Sequence, residues 1–372
     1  MSRGRTYLDH NASAPLKPVA REAMVAALAV CGNASSVHAE GRRARAIVDE
    51  AREAVAVLVN ARPQEVVFTS GATESNVWAL SQPWQRIALA GIEHDSVRAP
   101  AAQIAEARGA EVISLPVDGD GRVGLPTAGS GEGLLLVVQM ANNETGVVQD
   151  VTTAGLWATG NGARLHCDAA QAPGRIAIDF PTLGATTLSL SAHKIGGPKG
   201  VGALVISGNA PMVPLLTGGG QELRRRAGTE NIAAIAGFGA AARAAVADLE
   251  GVSRVAALRD RLEAEVKRLT PEAVVIGSNA PRLPNTASIA RPGTSAETQV
   301  IKFDLAGIAI SAGSACSSGK VSESPVLSAM GLAPDIARSA VRISIGPDTT
   351  DDDIAAFLAA WKSIHGGASL AA

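Results

Sequence analysis

The sequence has few cysteines and few aromatic residues. Its 372 residues include three cysteines (Cys31, Cys167 and Cys316), five phenylalanines, four tryptophans and one tyrosine. Three scattered cysteines exclude a disulfide framework and a four-cysteine zinc site, and they favour a reducing compartment. Because aromatic residues are scarce and 39 residues are glycine, we expect an aliphatic core of the kind found in a parallel sheet between helices. We interpret Cys31 and Cys167 as packing residues.

An excess of charge of one sign is also absent. The chain has 33 basic and 35 acidic side chains, a formal charge of −2, which disfavours nucleic acid as a partner. The first ten residues lack the apolar segment of a signal peptide, and the longest apolar run, around 134–138, is too short to span a bilayer. We therefore expect a soluble cytoplasmic protein that binds neither nucleic acid nor membrane.

Short apolar runs alternate with segments of helical spacing along most of the chain. This alternation predicts an α/β fold with a mainly parallel, doubly wound sheet. Near residue 250 the pattern changes from Ala-rich helical segments to short strands and loops, which predicts a smaller C-terminal domain. The predicted strands are 66–69, 86–90, 111–115, 134–139, 164–167, 187–190 and 202–206. The predicted helices are 39–59, 101–108, one or two between 231 and 269, and 351–364.

Polar clusters follow five of these strands, where ligands bind in open α/β sheets. The first, 70–76, is a loop of small residues that opens a helix and offers free N–H groups to an anion, with Thr73 as an additional donor. An ordinary capping box is the alternative. Neither a Walker loop nor a dinucleotide-binding glycine motif is present.

Two further clusters contain an acid and an amine. Asp168 ends an apolar strand, where a carboxylate needs a cationic partner. Alternatively, it caps a helix that starts at Ala169. Lys194 follows another strand and precedes two glycines, so we expect a cramped, partly desolvated amine. Burial lowers a lysine's pKa and frees the amine for imine formation. A surface lysine is the alternative.

The remaining candidate residues are informative only in combination with the clusters described above. His94 also ends a strand, and the amides of 142–146 could orient polar groups of a ligand. Arg342 lies within a short apolar strand and needs an anion, which is either a ligand carboxylate or an Asp or Glu in an ion pair. Cys316 lies among small residues, 311–319, which suit a thiol that must reach a substrate, although an inert buried thiol is the alternative.

Together these groups are what pyridoxal 5'-phosphate requires. The cofactor needs a lysine for its Schiff base, an acidic partner for its ring nitrogen and donors for its phosphate. A thiol in a loop that we expect to be flexible further narrows the range of reactions that such a cofactor site could catalyse.

The chain resembles the cysteine desulfurases, which serve nitrogenase or general iron–sulfur cluster assembly. The resemblance runs nearly end to end, through segments 7–12, 32–38, 68–76, 93–94, 142–146, 168–171, 191–194, 226–231 and 311–316. It implies a homodimer of the aminotransferase-like fold (fold type I), with a seven-stranded, mainly parallel sheet. It also implies a large cofactor-binding domain, 17–250, and a small α+β domain made of 1–16 and 251–372 that carries the cysteine loop.

The resemblance also implies roles for individual residues. Lys194 would carry the cofactor, Cys316 would accept sulfur as a persulfide, and His94 would stack on the ring and handle protons. Asp168 would pair with the ring nitrogen and Gln171 with the phenolic oxygen. Other positions match the remaining contacts: Ala72, Thr73, Ser191 and His193 to the phosphate, Thr229 to the neighbouring subunit's phosphate, Asn143 to both cofactor and substrate, and Arg342 to the substrate.

The implied reaction converts L-cysteine to L-alanine and passes the sulfur to an acceptor or scaffold protein for iron–sulfur cluster assembly. Through its persulfide, Cys316 would also be a candidate transient ligand of such a cluster. The alternatives are a selenocysteine lyase or cysteine sulfinate desulfinase, a class V aminotransferase, and a sulfur-carrier scaffold without catalysis.

Overall fold

The computed structural model describes residues 5–127, 131–208, 210–313 and 323–366. Within these residues the strands are β1 (Thr6–Tyr7), β2 (Val66–Thr69), β3 (Arg86–Ala90), β4 (Glu111–Leu115), β5 (Leu134–Val137), β6 (Arg164–Asp168), β7 (Thr187–Ser191), β8 (Gly202–Ile206), β9 (Val274–Val275), β10 (Thr286–Ala290), β11 (Ile308–Ala309), β12 (Ser311–Ala312) and β13 (Ala340–Ser344). The helices are α1 (Pro18–Leu28), α2 (Ala39–Leu58), α3 (Ala72–Leu80), α4 (Asp95–Arg108), α5 (Val151–Asn161), α6 (Ile232–Asp248), α7 (Val252–Leu269), α8 (Ala296–Leu305), α9 (Pro325–Ala329), α10 (Pro334–Ser339) and α11 (Asp351–His365).

The main sheet has seven strands in the order β2-β8-β7-β6-β5-β3-β4. Only β8 runs opposite to its neighbours β2 and β7, and the remaining pairs are parallel. The predicted α/β fold with a mainly parallel sheet is confirmed. The carboxyl ends of β3, β5, β6 and β7 therefore meet at one edge of the sheet, together with the end of β2.

Four strands of the sheet are buried along their whole length, including the polar residues of β7. Every residue of β2, β5, β7 and β8 is buried, as expected for strands covered by helices on both sides. Helices α1 and α2 pack against the Ala-rich helix α6, whose small side chains allow a close approach. The resulting core contains almost no aromatic residues besides Phe68, Phe180 and Phe238, so aliphatic packing dominates its burial energy.

A second hydrophobic core forms from Leu8 and from residues 255–361. The stacked rings of Phe303 and Phe357, 5.1 Å apart, lie at its centre beside Trp361. It covers a four-stranded antiparallel sheet of order β12-β13-β10-β9 and the short parallel pair β1-β11. The main cluster also includes Ile276, Ala290, Val326 and Ala340 from the C-terminal part of the chain, so the division into 17–250 and the remaining chain stays a prediction.

One helical stretch, Ile232–Leu269, is long and apolar enough by composition to cross a membrane. It contains no unbroken apolar run long enough to span a bilayer, because its alanine- and glycine-rich segments are interleaved with charged residues. Its most apolar window is 56% buried inside the protein. The buried side of α6, including Ile235, Phe238 and Ala242, belongs to the main core, so the stretch serves as core packing in this fold.

Candidate active site

A cavity of about 500 Å³ lies where β2, β3, β6 and β7 end. Its wall combines loops from several strands, as expected at the carboxyl edge of an open α/β sheet. The structure brings together at this cavity nine residues that the sequence singles out: Ala72, Thr73, His94, Asn143, Asp168, Gln171, Ser191, His193 and Lys194.

One end of the cavity is the N-terminus of α3. The capping-box alternative is wrong, because Gly71 is the N-cap and makes no side-chain cap hydrogen bond. The first N–H groups of a helix have no partner within it, and a Cβ atom at Gly71 or Gly200 would meet nothing within 4 Å. The cavity therefore has open space beside donors, which fits a phosphate group.

Glu74 lies in the first turn of α3, where its charge would oppose an anion. Its carboxylate accepts from Ser70 N at 2.7 Å and pairs with Arg226 at 3.0 Å. Burial alone would raise the pKa of Glu74, but the hydrogen bonds from Arg226 and Ser70 outweigh burial and lower it. Arg226 thus compensates the charge of Glu74, so the helix N-terminus stays suited to an anion.

Asp168 and Gln171 lie on the segment that follows β6. The helix-cap alternative for Asp168 is wrong, because a turn and not a helix follows it. The Asp168 carboxylate accepts from Ala170 N at 2.9 Å and from Asn76 Nδ2 at 2.8 Å. Gln171 donates to Asn11 O at 3.0 Å, and its side-chain oxygen accepts from Arg175. Hydrogen bonds to the surrounding protein therefore fix the orientation of both side chains, as contact with a ligand requires.

Lys194 lies in a short 3-10 turn directly after β7. Its Nζ donates to Asn11 O at 2.5 Å and to Ala12 O at 3.1 Å. The side chain is half-buried and lines the cavity, so the surface-lysine alternative is wrong. The loop after β1 therefore holds the amine at the mouth of the site.

Two histidines face the same cavity. His94 is the N-cap of α4, and its Nδ1 accepts from Ser96 N at 3.1 Å. His193 lies beside Lys194, and its Nδ1 is 3.3 Å from Ser13 Oγ. Burial, followed by the charges of Lys194 and Lys199, lowers the pKa of His193 to about 4. A neutral His193 keeps one N–H as a donor.

Arg342 lies on β13, behind Asn143. Its guanidinium pairs with Asp9 at 2.7 Å and donates to Asn143 O at 3.1 Å, and its Nε has no hydrogen-bond partner among the described residues. The ion pair with an acidic residue, left open by the sequence, is therefore present. Asp9 uses Nη2, so a carboxylate ligand of Arg342 would have to share or displace that contact.

Arg342 and Thr229 do not line this cavity. Thr229 is exposed to solvent. Cys316 lies outside the described residues, and so do its predicted roles as sulfur acceptor and cluster ligand. The interpretation of Cys31 as a packing residue is wrong, because Cys31 is exposed. Cys167 is buried as expected, and burial followed by the charges of Asp168 and Glu93 raises its pKa well above the ordinary value.

Several residues that shape the site were not singled out from the sequence. Asn11 accepts from Lys194, Asp9 pairs with Arg342, and Arg175 orients Gln171. Glu144 accepts from Ser324 Oγ at 2.6 Å, and a Cβ atom at Gly313 would lie 2.4 Å from its Oε2. Asp9 and Asn11 belong to the segment 7–12 that carries the family resemblance, and their polar side chains were the sequence signal that could have identified them.

Comparison with known proteins gives consistent matches. The family model for aminotransferase class-V matches residues 6–357. The chain is 40% identical over 361 residues to a cysteine desulfurase from Cereibacter sphaeroides, covering 94% of this chain and 93% of that protein. It is 37% identical over 360 residues to cysteine desulfurase IscS from Dictyoglomus turgidum, covering 94% and 91%.

Solved structures agree. A NifS-like protein from Rickettsia africae superposes with a TM-score of 0.87 at 32% identity, covering 97% of this chain and 99% of that chain. A structure described as SspA in complex with cysteine superposes with a TM-score of 0.78 at 29% identity, covering 93% and 100%.

Proposed function

Because this chain belongs to the aminotransferase class-V family, as a cysteine desulfurase, we propose that its cavity holds pyridoxal 5'-phosphate and L-cysteine. Enzymes of this type depend on that cofactor, and the residues present fit it. The observation that supports the proposal best is the convergence of the Lys194 amine, the Asp168 carboxylate and the N-terminus of α3 on one cavity of about 500 Å³.

Each part of the cofactor has a matching group. The first N–H groups of α3, with Thr73, Ser191 and His193, would hold the phosphate. Asp168 would hold the ring nitrogen, and Gln171 would donate to the phenolic oxygen. Lys194 would bind the cofactor covalently. When bound, the cofactor supplies an electron sink for a carbanion at the substrate's α-carbon.

The chain's own groups supply the remaining chemistry. Lys194 Nζ takes the α-proton, and Asn143 and Arg342 orient the substrate. The Cys316 thiolate attacks the substrate sulfur, so that an S–S bond forms as the C–S bond breaks. The carbon fragment takes up a proton and leaves as L-alanine, while Cys316 keeps the sulfur as a persulfide. His94 is the nearest candidate for proton transfer at the substrate thiol.

We also propose that the persulfide passes to an acceptor protein for iron–sulfur cluster assembly, in a cytoplasmic homodimer. Thr229 is exposed, which agrees with a contact to the neighbouring subunit's phosphate. A selenocysteine lyase or cysteine sulfinate desulfinase can dispense with a thiol nucleophile. Turnover of cysteine, selenocysteine and cysteine sulfinate by the same preparation separates these activities.

Absorption spectroscopy of the purified protein tests the cofactor assignment. We expect a bound-cofactor band in the unaltered protein and its loss in Lys194→Ala, because that variant lacks the amine. Lys199→Ala is the matched control, since Lys199 lines the same cavity but has no covalent role. A colourless protein that stays colourless with added cofactor would contradict the proposal and favour a scaffold.

A further inference from the structure

The side-chain amide of Asn76 lies between two groups of the active site. Asn76 is fully buried on α3, and its Nδ2 is 2.8 Å from Asp168 Oδ2 and 2.9 Å from Ser96 Oγ. An amide nitrogen carries two hydrogens and both are used here. One side chain therefore contacts the carboxylate assigned to the ring nitrogen and the serine that contacts His94.

The Asp168 carboxylate, which only accepts, requires the nitrogen of this amide on its side, and His166 faces the amide oxygen on the other side. Its Nε2 is 3.0 Å from Asn76 Oδ1, and its Nδ1 is 2.8 Å from Thr187 Oγ1. Because the Asn76 oxygen only accepts, Nε2 of His166 carries the hydrogen and Nδ1 accepts from Thr187. His166 is completely buried, and burial lowers its pKa to about 4, so the imidazole stays neutral and keeps this tautomer at neutral pH.

The second hydrogen of Asn76 leads to His94. Ser96 Oγ accepts from Asn76, so its own hydrogen is free for His94 Nδ1 at 2.8 Å. The backbone N–H of Ser96 donates to the same nitrogen at 3.1 Å. In the neutral imidazole of His94, Nδ1 is therefore an acceptor and Nε2 carries the hydrogen.

We propose that Asn76 is a positioning residue that joins Asp168 to His94, and that His166 helps to hold its orientation. This inference rests on the proposed cofactor site. Asn76 would hold the Asp168 carboxylate ready for the ring nitrogen and, through Ser96, hold His94 in the tautomer with its hydrogen on Nε2. A rotated amide would direct its oxygen at the Asp168 carboxylate, which cannot donate, and would draw the Ser96 hydroxyl hydrogen away from His94 Nδ1.

A matched pair of substitutions at His166 tests the proposal. Glutamine and methionine have similar size, but only glutamine can donate to Asn76 Oδ1, so His166→Gln should keep the orientation that His166→Met loses. The measurement is a pH titration of the bound cofactor's absorption band in the purified holoenzyme, without substrate. Variants are compared only where circular dichroism shows a native fold.

The expected shift has a definite sign. An Asp168 carboxylate that loses a donor holds a proton more strongly, so the ring nitrogen carries less positive charge and the lysine–cofactor linkage becomes more basic. The midpoint should rise by roughly half a pH unit or more in His166→Met and in Asn76→Leu, and stay near that of the unaltered protein in His166→Gln. The same two disrupted variants should lose about tenfold in kcat, with KM for cysteine nearly unchanged.

The outcomes are distinguishable. If the unaltered protein forms no cofactor band, the proposed function fails and this inference fails with it. If the band forms but Asn76→Leu titrates like the unaltered protein, Asn76 has no positioning role although the cofactor site stands. Equal shifts in His166→Gln and His166→Met would overturn the role of His166 in orienting the amide.

Discussion

Arg342 is the residue whose role depends most on its neighbours. Asp9 neutralises it at 2.7 Å, and the side chain is buried. An ion pair of this kind satisfies a buried charge and would be sufficient reason for an arginine on β13. Its Nε atom is buried and has no partner among the described residues, so a substrate carboxylate would bind Arg342 by sharing or displacing the Asp9 contact. The two roles predict different kinetics.

We expect Arg342→Lys to raise KM for L-cysteine by about tenfold or more, with a smaller change in kcat. Lysine keeps the charge that pairs with Asp9 but loses the forked pair of donors that matches a carboxylate. Steady-state kinetics of the holoenzyme measures both constants. An unchanged KM would leave Arg342 a purely structural partner of Asp9.

His10 makes the stability of the protein depend on pH. Burial, followed by the charge of Arg175, lowers its pKa from 6.5 to about 4. The unfolded chain therefore takes up this proton at a higher pH than the folded protein. Stability contributed by neutral His10 is fully present above pH 6.5 and is lost as pH falls toward 4, by up to about 3 kcal/mol.

We expect His10→Gln to flatten the loss of unfolding free energy between pH 6.5 and 4, because glutamine does not titrate. Urea unfolding at several pH values measures the slope. Equal slopes for His10→Gln and the unaltered protein would contradict the burial argument.

At the scale of the elements, the central sheet was predictable from the sequence. The strands at 66–69, 86–90, 111–115 and 202–206 have the predicted bounds, and the other three differ by one or two residues. Buried strands are recognisable as short, mainly apolar runs, and a Ser or Gly directly after β2, β3 and β8 marks where these three end. Helix α4 was underestimated, because it begins at Asp95 and its first turn is mostly polar.

Contacts between distant segments were not predictable. Arg52 on α2 pairs with Glu222, 170 positions away, at 2.7 Å. Glu222, Leu223 and Arg224 have positive φ angles of 48°, 56° and 64°, a strained conformation for non-glycine residues. No local sequence pattern predicts such a turn, because tertiary contacts stabilise it. Pairing of Asp9 with Arg342 has the same origin.

We expect Glu222→Ala to lower the free energy of unfolding by roughly 3 to 5 kcal/mol, because it leaves the buried Arg52 without its partner. It also leaves Phe68 N without its acceptor. Asp49→Ala is the control, on the helix that carries Arg52. It breaks the exposed Arg45–Asp49 pair and should lower the free energy of unfolding by less than about 1 kcal/mol. Similar losses for the two variants, measured by urea unfolding, would show that the turn does not depend on this ion pair.

In the whole molecule, the wall of the cavity comes from residues 12–201, while Arg342, which donates to Asn143 O, lies in the four-stranded sheet. Asn11 connects the cavity wall to this sheet: its side chain donates to Thr286 Oγ1 at 2.9 Å and to Asn143 O at 3.1 Å, while its carbonyl accepts from Lys194. The sequence predicted the site residues of each part but not this junction. The remaining question at this scale is whether a second subunit completes the site.

A mixed dimer tests the predicted contact of Thr229 with the neighbouring subunit's phosphate. We pair one Thr73→Val chain with one Thr229→Val chain and measure cofactor affinity. If Thr229 acts across the interface, one site carries both substitutions and the other carries none, so half of the sites should bind as tightly as in the unaltered protein. Two equally weakened sites, or a protein that does not dimerise, would contradict the prediction.

The most direct test of the central claim is mass spectrometry of the protein after incubation with L-cysteine. We expect one added sulfur atom on the peptide that contains Cys316 and none on the peptide that contains the exposed Cys31. Cys31→Ser should keep the added sulfur, and Cys316→Ala should still bind the cofactor but gain none. Full sulfide release by Cys316→Ala, or added sulfur on Cys31 alone, would contradict the account.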